Sequence, residues 1–230
     1  MTRAVMLLSG GQDSTTSLFW ARTKFDEVVA VSFDYRQRHR AELDAAAAVA
    51  TLAGVKEHYV IDAGFLADLG GSSLVDASKG IVASGGHADA EMPHGLPNTF
   101  VPGRNLFFLS AAAAVAVKVG AKDIITGVCQ TDYSGYPDCR EEFVQAMAKA
   151  ATLAMPSSAG PLRIHTPLMH LTKAESVQLA RRLDGCWEAL ALSLSCYEGQ
   201  RPGCGVCPAC VLRRAGFEAA GEVDPAAEVL

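Results

Sequence analysis

The residues with the clearest chemistry form a short glycine-containing motif near the start of the chain. Residues 9–14 read Ser-Gly-Gly-Gln-Asp-Ser, directly after the apolar run of residues 5–8 and before a predicted helix. A Gly-Gly turn between a strand and a helix leaves backbone N–H groups free to bind an anion, and the helix dipole favours negative charge there. Ser9, Ser14 and Thr15 add hydroxyl donors, so the motif predicts binding of a nucleotide through its phosphates.

Asp13 is the unusual residue of this motif. A carboxylate repels phosphate unless a cation intervenes, so Asp13 predicts Mg2+ at the same site. The motif also lacks the Gly-Lys-Ser/Thr ending of a Walker A loop. An ordinary glycine-containing turn between a strand and a helix is the alternative interpretation.

A second chemical group is a cluster of four cysteines near the C-terminus, Cys196, Cys204, Cys207 and Cys210. Glycines and a proline between them supply tight turns that direct the sulfurs to one centre. Four thiolates suit a tetrahedral, closed and therefore structural Zn2+ site. An iron–sulfur cluster and a redox-active Cys-x-x-Cys pair remain alternatives.

The other cysteines and the histidines carry less information. Cys129 and Cys186 are predicted to be small core residues, and Cys139 is ambiguous. The six histidines are scattered, and each is predicted to be a surface or core residue rather than a ligand.

The elements that must position these groups alternate along the chain. Apolar runs predict strands, and periodic stretches ending near glycines predict helices between them. This pattern predicts an α/β fold with a doubly wound, parallel five-stranded sheet that binds ligands at the carboxyl ends of its strands. The strands are expected at residues 5–8, 28–33, 58–61, 124–128 and 164–168, and the helices at residues 14–23, 39–53, 105–119, 137–155 and 172–183.

Two regions depart from this alternation. Residues 64–103 form a long loop rich in Gly, Ser, Pro and His, and Gly85, Gly86 and His87 suit a mobile lid. The cysteine cluster marks a small helical zinc-binding subdomain at residues 191–230, after an α/β domain at residues 1–190 that carries the nucleotide motif and, on the resemblance described below, binds ATP.

Composition limits the possible functions. The chain has 230 residues and a net charge of −5, which argues against binding nucleic acid. Two groups of arginines are close in sequence: Arg36, Arg38 and Arg40 alternate, and Arg213 adjoins Arg214. Each group can be interpreted as a local basic patch or as a solvated face. No apolar run suits a membrane span and no signal peptide is recognised, so we expect no membrane contact and a cytoplasmic location.

Three further stretches, residues 33–39, 101–105 and 132–140, follow strands or begin helices and are expected to converge on the ligand edge of the sheet. The last contains two tyrosines, charged side chains and Gly-Pro turn residues, a composition that suits stacking on a flat heterocycle.

With these stretches, the sequence resembles the 7-cyano-7-deazaguanine synthase family. The motif of residues 9–14 is similar to that of the wider PP-loop ATP pyrophosphatase superfamily, which includes GMP synthetase, NAD synthetase and tRNA-lysidine synthetase. Residues 101–105, 132–140 and the tail from Ser195-Cys196-Tyr197 to Arg213, Phe217 and Asp224-Pro225 resemble this one family.

The resemblance implies a Rossmann-like fold of the adenine nucleotide alpha-hydrolase type. It also implies an ATP-dependent ligase that converts 7-carboxy-7-deazaguanine and ammonia to the nitrile, in queuosine biosynthesis. Adenylated acid and amide intermediates would form in turn, releasing AMP and pyrophosphate. ATP with Mg2+ is the implied cosubstrate, the ammonia is free or comes from a partner, and a homodimer is implied.

The resemblance also implies site residues. Catalytic roles are expected for Asp13, Arg104 and Lys173, where Lys173 would place a cation on the phosphates. The deazaguanine is expected on Asn105, Tyr133, Tyr136, Asp138, Cys139 and Arg140. ATP is expected on Leu8, Ser9, Gly10, Gly11, Gln12, Asp13, Ser14, Thr15, Thr16, Ser17 and Leu18.

The chain departs from the family pattern in two places. Arg36 stands where the family usually has glycine, so a turn that needs a positive φ would be strained or reshaped there. Ser193 and Leu194 stand where a threonine and an aromatic residue are usual. Two other functions stay open: a tRNA-thiolating enzyme with the same motif, and a non-enzymatic nucleotide-sensing or adaptor module.

Overall fold

The computed structural model describes residues 1–76, 78–81, 96–131 and 135–227. Its centre is a five-stranded parallel sheet with the strand order β3-β2-β1-β4-β5. The strands are β1 (Arg3–Leu7), β2 (Glu27–Asp34), β3 (His58–Asp62), β4 (Asp123–Ile125) and β5 (Arg163–His165). The predicted α/β fold class with a parallel five-stranded sheet is therefore confirmed.

Helices cover both faces of the sheet. They are α1 (Gln12–Arg22), α2 (Ala41–Leu52), α3 (Phe65–Asp68), α4 (Arg104–Val119), α5 (Glu141–Ala154), α6 (Lys173–Arg182), α7 (Cys186–Leu192) and α8 (Pro208–Ala220). Side chains alternate across β1, so Met6 lies in the core cluster that includes residues of α1, α2, α6, α7 and α8, whereas Val5 lies in the cluster that includes residues of α4 and α5. Both faces of the central strands are buried, which explains their continuous apolar sequences.

Some predicted boundaries were wrong. The expected helix at residues 137–155 begins as a 3-10 turn at Pro137–Cys139, and Arg140 is extended before α5 starts. The strand predicted at residues 124–128 ends at Ile125, and the one predicted at residues 164–168 ends at His165. Both apolar runs continue past the last paired residue of their strand. Residues 126–128 line the cavity described below, and Leu168 is buried in the core.

Residues 64–103 are only partly described. They include α3, and Ser73 N–H donates to Asn98 O at 2.8 Å, which joins the two ends of the segment. Gly85, Gly86 and His87, on which the lid hypothesis depends, lie outside the described residues. Throughout the part of the chain that is described, every helix is too short or too polar to cross a bilayer.

Candidate functional site

A cavity of about 320 Å³ opens at the carboxyl ends of β1, β2 and β4. Its walls come from the loop after β1, the end of β2, the first turns of α2 and α4, the loop after β4, and the C-terminal cysteine segment. This is the edge at which parallel sheets bind ligands. The cavity therefore brings together most of the segments that the sequence singled out.

Gly10 is fixed by close packing of the first loop on α2. Its φ is +87°, and a Cβ there would lie 2.4 Å from Glu42 O and 2.7 Å from Ala46 N. Both atoms belong to helix backbone, which cannot move aside as a flexible side chain can. Only glycine fits, so the loop lies directly on α2 with its next residues facing the cavity.

The hydroxyls of the loop have two different placements. Ser9 and Ser14 line the cavity, and Ser14 Oγ accepts hydrogen bonds from Ser9 N–H at 3.2 Å and from the Ser9 hydroxyl at 3.0 Å. Thr15 is fully buried and donates to Gly11 O at 2.9 Å. Of the residues expected to bind ATP, those on the cavity wall are Leu8, Ser9, Gly11, Gln12, Asp13 and Ser14, while Gly10, Thr15, Thr16, Ser17 and Leu18 lie beneath it.

Lys173 reaches this loop from the start of α6. Its Nζ lies 2.8 Å and 3.0 Å from the two carboxylate oxygens of Asp13. Thr172 and Glu175 form a capping box, in which each side chain accepts from the backbone N–H of the other residue, so the first turn of α6 is held rigidly. The ammonium group is thus placed at the mouth of the loop, next to the loop's own carboxylate, Asp13.

Arg104 also lines the cavity and is surrounded by phenol rings. Burial pulls its pKa down, but the Coulombic effect of Tyr35, Tyr136 and Tyr197 in their ionised forms at high pH, together with the Asp138 carboxylate, outweighs burial and raises the pKa above its usual value. The guanidinium carbon also lies over the Tyr136 ring, 5.9 Å from its centroid. The cavity therefore holds a permanent cation beside flat aromatic groups.

Glu42 faces the same wall from the first turn of α2. Burial raises the pKa of this carboxyl to about 7, although nearby Arg104 acts in the opposite direction. The pKa of Tyr35 rises to about 12, mainly through burial. At neutral pH the wall thus combines a charged guanidinium, neutral phenols and a carboxyl that is only partly ionised.

The stretch around residue 138 contacts the start of α4. Asn105 N–H donates to Asp138 Oδ2 at 3.3 Å, and its side-chain amide donates to Asp138 O at 3.2 Å and Cys139 Sγ at 3.4 Å. Asn105 and Cys139 line the cavity, and Asp138 lies behind them with Oδ1 unpaired among the described residues. Burial raises the pKa of Cys139 to about 12, so it is a neutral thiol and a poor nucleophile at neutral pH.

The remaining expected substrate residues differ in position. Tyr136 lines the cavity, and its hydroxyl is hydrogen-bonded to Thr99 Oγ1 at 2.6 Å. Arg140 precedes α5 and is not among the residues that form the cavity wall. Tyr133 lies outside the described residues.

The four cysteines of the C-terminal cluster converge as their spacing predicts. Their Sγ atoms all lie within 4.8 Å of one another, and Cys204 Sγ is 3.9 Å from Cys210 Sγ. A zinc ion with four sulfurs at about 2.3 Å places those sulfurs about 3.8 Å apart. Backbone N–H groups donate to two of the sulfurs, from Cys207 to Cys204 Sγ and from Cys204 to Cys196 Sγ, which favours thiolates. The residues present fit a four-thiolate metal site.

Arg213 of α8 connects the cysteine segment to the cavity. Its guanidinium binds both oxygens of Asp224, at 2.6 Å and 2.8 Å, and donates to Ser193 Oγ at 2.8 Å and Ser195 Oγ at 3.2 Å. The arginine is buried, so this network fixes the chain between α7 and the first cysteine. That segment passes directly beside the loop of residues 9–15, the proposed phosphate loop, because Gln12 N–H donates to Ser195 Oγ.

The alternating arginines of the N-terminal half do not form a free basic patch. Arg36 pairs with Asp68 at 2.8 Å, Arg40 with Asp34 at 3.1 Å, and Arg38 with Glu198 at 3.7 Å. Arg36 has a φ of +55°, the left-handed region that the family's usual glycine adopts freely. Of the two outcomes expected for this turn, strained or reshaped, the structure shows a positive φ with an arginine in place.

Comparison with known proteins identifies the family. The family model described as "Queuosine biosynthesis protein QueC" matches residues 3–221. The chain is 53% identical over 222 residues to the 7-cyano-7-deazaguanine synthase of Laribacter hongkongensis, covering 96% of this chain and 93% of that protein. It is 52% identical over 228 residues to the 7-cyano-7-deazaguanine synthase of Chromobacterium violaceum, covering 98% of this chain and 93% of that protein.

The chain belongs to the QueC family of 7-cyano-7-deazaguanine synthases.

The resemblance to this family is therefore confirmed, and the thiolating and adaptor alternatives have no comparable support. Solved structures agree on the fold alone. A 4-thiouridine synthetase–RNA complex with bound ATP superposes with a TM-score of 0.50 and 15% identity, covering 95% of this chain and 54% of that chain. A predicted subunit of tRNA methyltransferase from Methanocaldococcus jannaschii superposes with a TM-score of 0.50 and 12% identity, covering 79% of this chain and 75% of that chain.

Sequence reasoning missed several residues of this site. Tyr35 and Tyr197 lie in stretches that were singled out, but their packing on Arg104 depends on contacts between distant segments. Glu42 gave no signal, because an acidic residue in the first turn of a helix is ordinarily solvated. Ser195 was noted within the family motif without a role.

Proposed function

We propose that this QueC-family synthase activates its acid substrate in the cavity at the carboxyl edge of the sheet. ATP phosphates bind the loop of residues 9–15 beside Lys173, and the acid, 7-carboxy-7-deazaguanine, binds against Arg104 and Tyr136. The observation that supports this most strongly is that the phosphate loop and the Arg104 wall line the same cavity. A substrate carboxylate paired with Arg104 would then share this cavity with the nucleotide phosphates.

The chemistry consists of two similar activations. The substrate carboxylate attacks the α-phosphorus, pyrophosphate leaves, and ammonia displaces AMP from the acyl adenylate to give the amide and a proton. The amide oxygen attacks a second ATP with loss of pyrophosphate and one N–H proton. Elimination of AMP with the second N–H proton forms the nitrile, so one phosphate site serves both halves.

Individual side chains have distinct tasks in this scheme. Lys173 balances negative charge on the departing pyrophosphate, while Ser9, Ser14 and the backbone N–H groups of the loop hold its oxygens. Asp13 would hold Mg2+, which when bound neutralises phosphate charge. Arg104 pairs with the substrate carboxylate because it stays charged in a wall of neutral phenols.

The flat heterocycle is recognised by the residues at the start of α4 and the stretch before α5. Tyr136 supplies a face for stacking, and Asn105 and Cys139 present polar atoms to its edge. Asp138 acts behind them by orienting Asn105 through two hydrogen bonds. Tyr133 and Arg140 remain proposed substrate contacts on the family resemblance.

The four-cysteine cluster holds one structural zinc ion in this proposal, since its sulfurs fit a closed tetrahedral site. The cluster belongs to a C-terminal subdomain at residues 191–230, although α7 runs across the boundary with the domain at residues 1–190. We further propose a cytoplasmic homodimer that uses small molecules and does not bind nucleic acid.

The direct test uses substrate whose two carboxylate oxygens are 18O-labelled. With ATP, Mg2+ and an ammonium salt, mass spectrometry should find two AMP molecules per nitrile, each carrying one labelled oxygen. Label in pyrophosphate, or only one AMP per nitrile, would contradict activation of both the acid and the amide at the α-phosphate.

A further inference from the structure

Ser195 brings a hydroxyl group from the cysteine segment to the phosphate loop. It lies on the cavity wall, one residue before the first metal-ligating cysteine. Its Oγ accepts the Gln12 backbone N–H at 3.3 Å and an Arg213 N–H at 3.2 Å. A Cβ built on Gly11 would be 3.8 Å from this oxygen, so the hydroxyl faces the Gly-Gly turn.

These contacts decide the direction of the Ser195 hydroxyl proton. A hydroxyl oxygen has two lone pairs and one hydrogen, and both lone pairs here receive donors. Within the described residues, Ser195 makes no hydrogen bond in which it is the donor. The hydrogen is thus left for an acceptor in the cavity, at the N-terminal end of α1 where anions are favoured.

We propose that the Ser195 hydroxyl donates a hydrogen bond to a phosphate oxygen of ATP, so that the cysteine segment completes the phosphate site. The proposal rests on the placement of the phosphates on residues 9–15 given above. It adds a donor from a segment that is distant in sequence from the loop of residues 9–15.

Arg213 is the positioning residue for this hydroxyl. It is bound to both carboxylate oxygens of Asp224 and to Leu190 O at 3.1 Å, so its donor to Ser195 has little freedom. Pre-oriented donors stabilise a developing charge better than mobile ones. The C-terminal segment would therefore contribute to turnover through the ATP site and not only to folding.

Ser193 offers a matched control. Its Oγ accepts from the same Arg213 at 2.8 Å, but Ser193 is buried and does not form part of the cavity wall. Ser195→Ala and Ser193→Ala each remove one acceptor of Arg213, and only the first removes the donor to phosphate. Ser195→Thr keeps a hydroxyl, and Lys173→Gln independently tests whether the phosphates bind at this loop.

The measurement is the KM for ATP and kcat in substrate-dependent pyrophosphate release, with the melting temperature of each variant. Ser195→Ala should reduce kcat/KM for ATP about 10- to 100-fold, the range for one hydrogen bond to a charged acceptor. Ser195→Thr should recover most of it, and Ser193→Ala should lower only the melting temperature.

Three results would overturn the proposal. If Ser195→Ala and Ser193→Ala reduce kcat/KM equally, Ser195 acts only through the fold. If Lys173→Gln is impaired but Ser195→Ala is not, the hydroxyl does not contact phosphate although the ATP site stands. If neither variant is impaired, the placement of ATP on this loop fails, and the Ser195 proposal with it.

Discussion

Gly216 of α8 should be intolerant of even one methyl group, because it contacts the side chain that carries the proposed phosphate-binding cation. A Cβ at Gly216 would lie 2.3 Å from Lys173 Cγ and 3.0 Å from Lys173 Cβ. Carbon atoms in favourable contact are about 3.5–4.0 Å apart, so Gly216→Ala must move the lysine by about 1 Å. Gly216 is buried where α8 packs against α6, which leaves little room for relaxation.

The two effects of Gly216→Ala on stability oppose each other. Overpacking in a buried contact costs about 1–3 kcal/mol, while alanine in place of glycine within a helix returns about 1 kcal/mol. We expect a net loss of about 0–2 kcal/mol in the free energy of unfolding. The effect on catalysis should be larger, because misplacing a catalytic group by about 1 Å can reduce the rate about 100-fold.

The assay combines urea unfolding with pyrophosphate release at varied ATP. Ala215→Gly is the matched control, since this exposed position on α8 loses about 1 kcal/mol of helix propensity without touching Lys173. Gly216→Ala should reduce kcat/KM for ATP, and Ala215→Gly should not. In a Lys173→Ala background, which removes the Cγ, most of the stability cost should disappear. A Gly216→Ala protein more stable than wild type, with unchanged kcat/KM for ATP, would refute the reasoning.

Three further predictions concern other parts of the site. Burial raises the pKa of Glu42 to about 7 from 4.5, so its ionisation destabilises the folded state as pH rises between these values. The free energy of unfolding of Glu42→Gln should thus exceed that of wild type by up to about 3 kcal/mol at pH 8 and equal it near pH 4. Urea unfolding measures both values, and the same difference at both pH values would contradict this. Arg104→Met should raise the KM for the acid about 100-fold and the KM for the neutral amide far less, because only the acid loses a charge-assisted hydrogen bond. Equal increases in the two KM values in steady-state assays would contradict binding of the substrate carboxylate to Arg104. Metal analysis should find one zinc per chain in wild type and none in Cys204→Ser, which should also unfold at a lower temperature. Iron together with acid-labile sulfide would show that the four cysteines hold an iron–sulfur cluster and would contradict the zinc site.

The sheet, the position of the loop of residues 9–15 at its carboxyl edge and the cysteine cluster were all predictable from sequence because each depends on local patterns. Apolar runs bounded by glycine-ended helices specify parallel strands, and Cys-x-x-Cys spacing brings thiols together whatever the rest of the chain does. The capping box at Thr172 and Glu175 similarly marks the start of α6, and with it the position of Lys173.

The walls of the cavity were less predictable because they are built from contacts between distant segments. Tyr35, Tyr136 and Tyr197 come from three separate parts of the chain and meet only around Arg104. The buried pairing of Arg213 with Asp224 gives no signal that it also places Ser195 beside Gln12. Local sequence specifies each element, whereas the long-range packing of α2, α4 and α8 specifies which side chains face the cavity.

The most direct test of the account is a single-turnover comparison of the two half-reactions in Lys173→Gln. If one phosphate site serves both activations, conversion of the acid to the amide and of the amide to the nitrile should slow by the same factor, about 100-fold for loss of one charged group at the departing pyrophosphate. If only one of the two half-reactions slows, or neither does, the claim that a single cavity carries out both activations is contradicted.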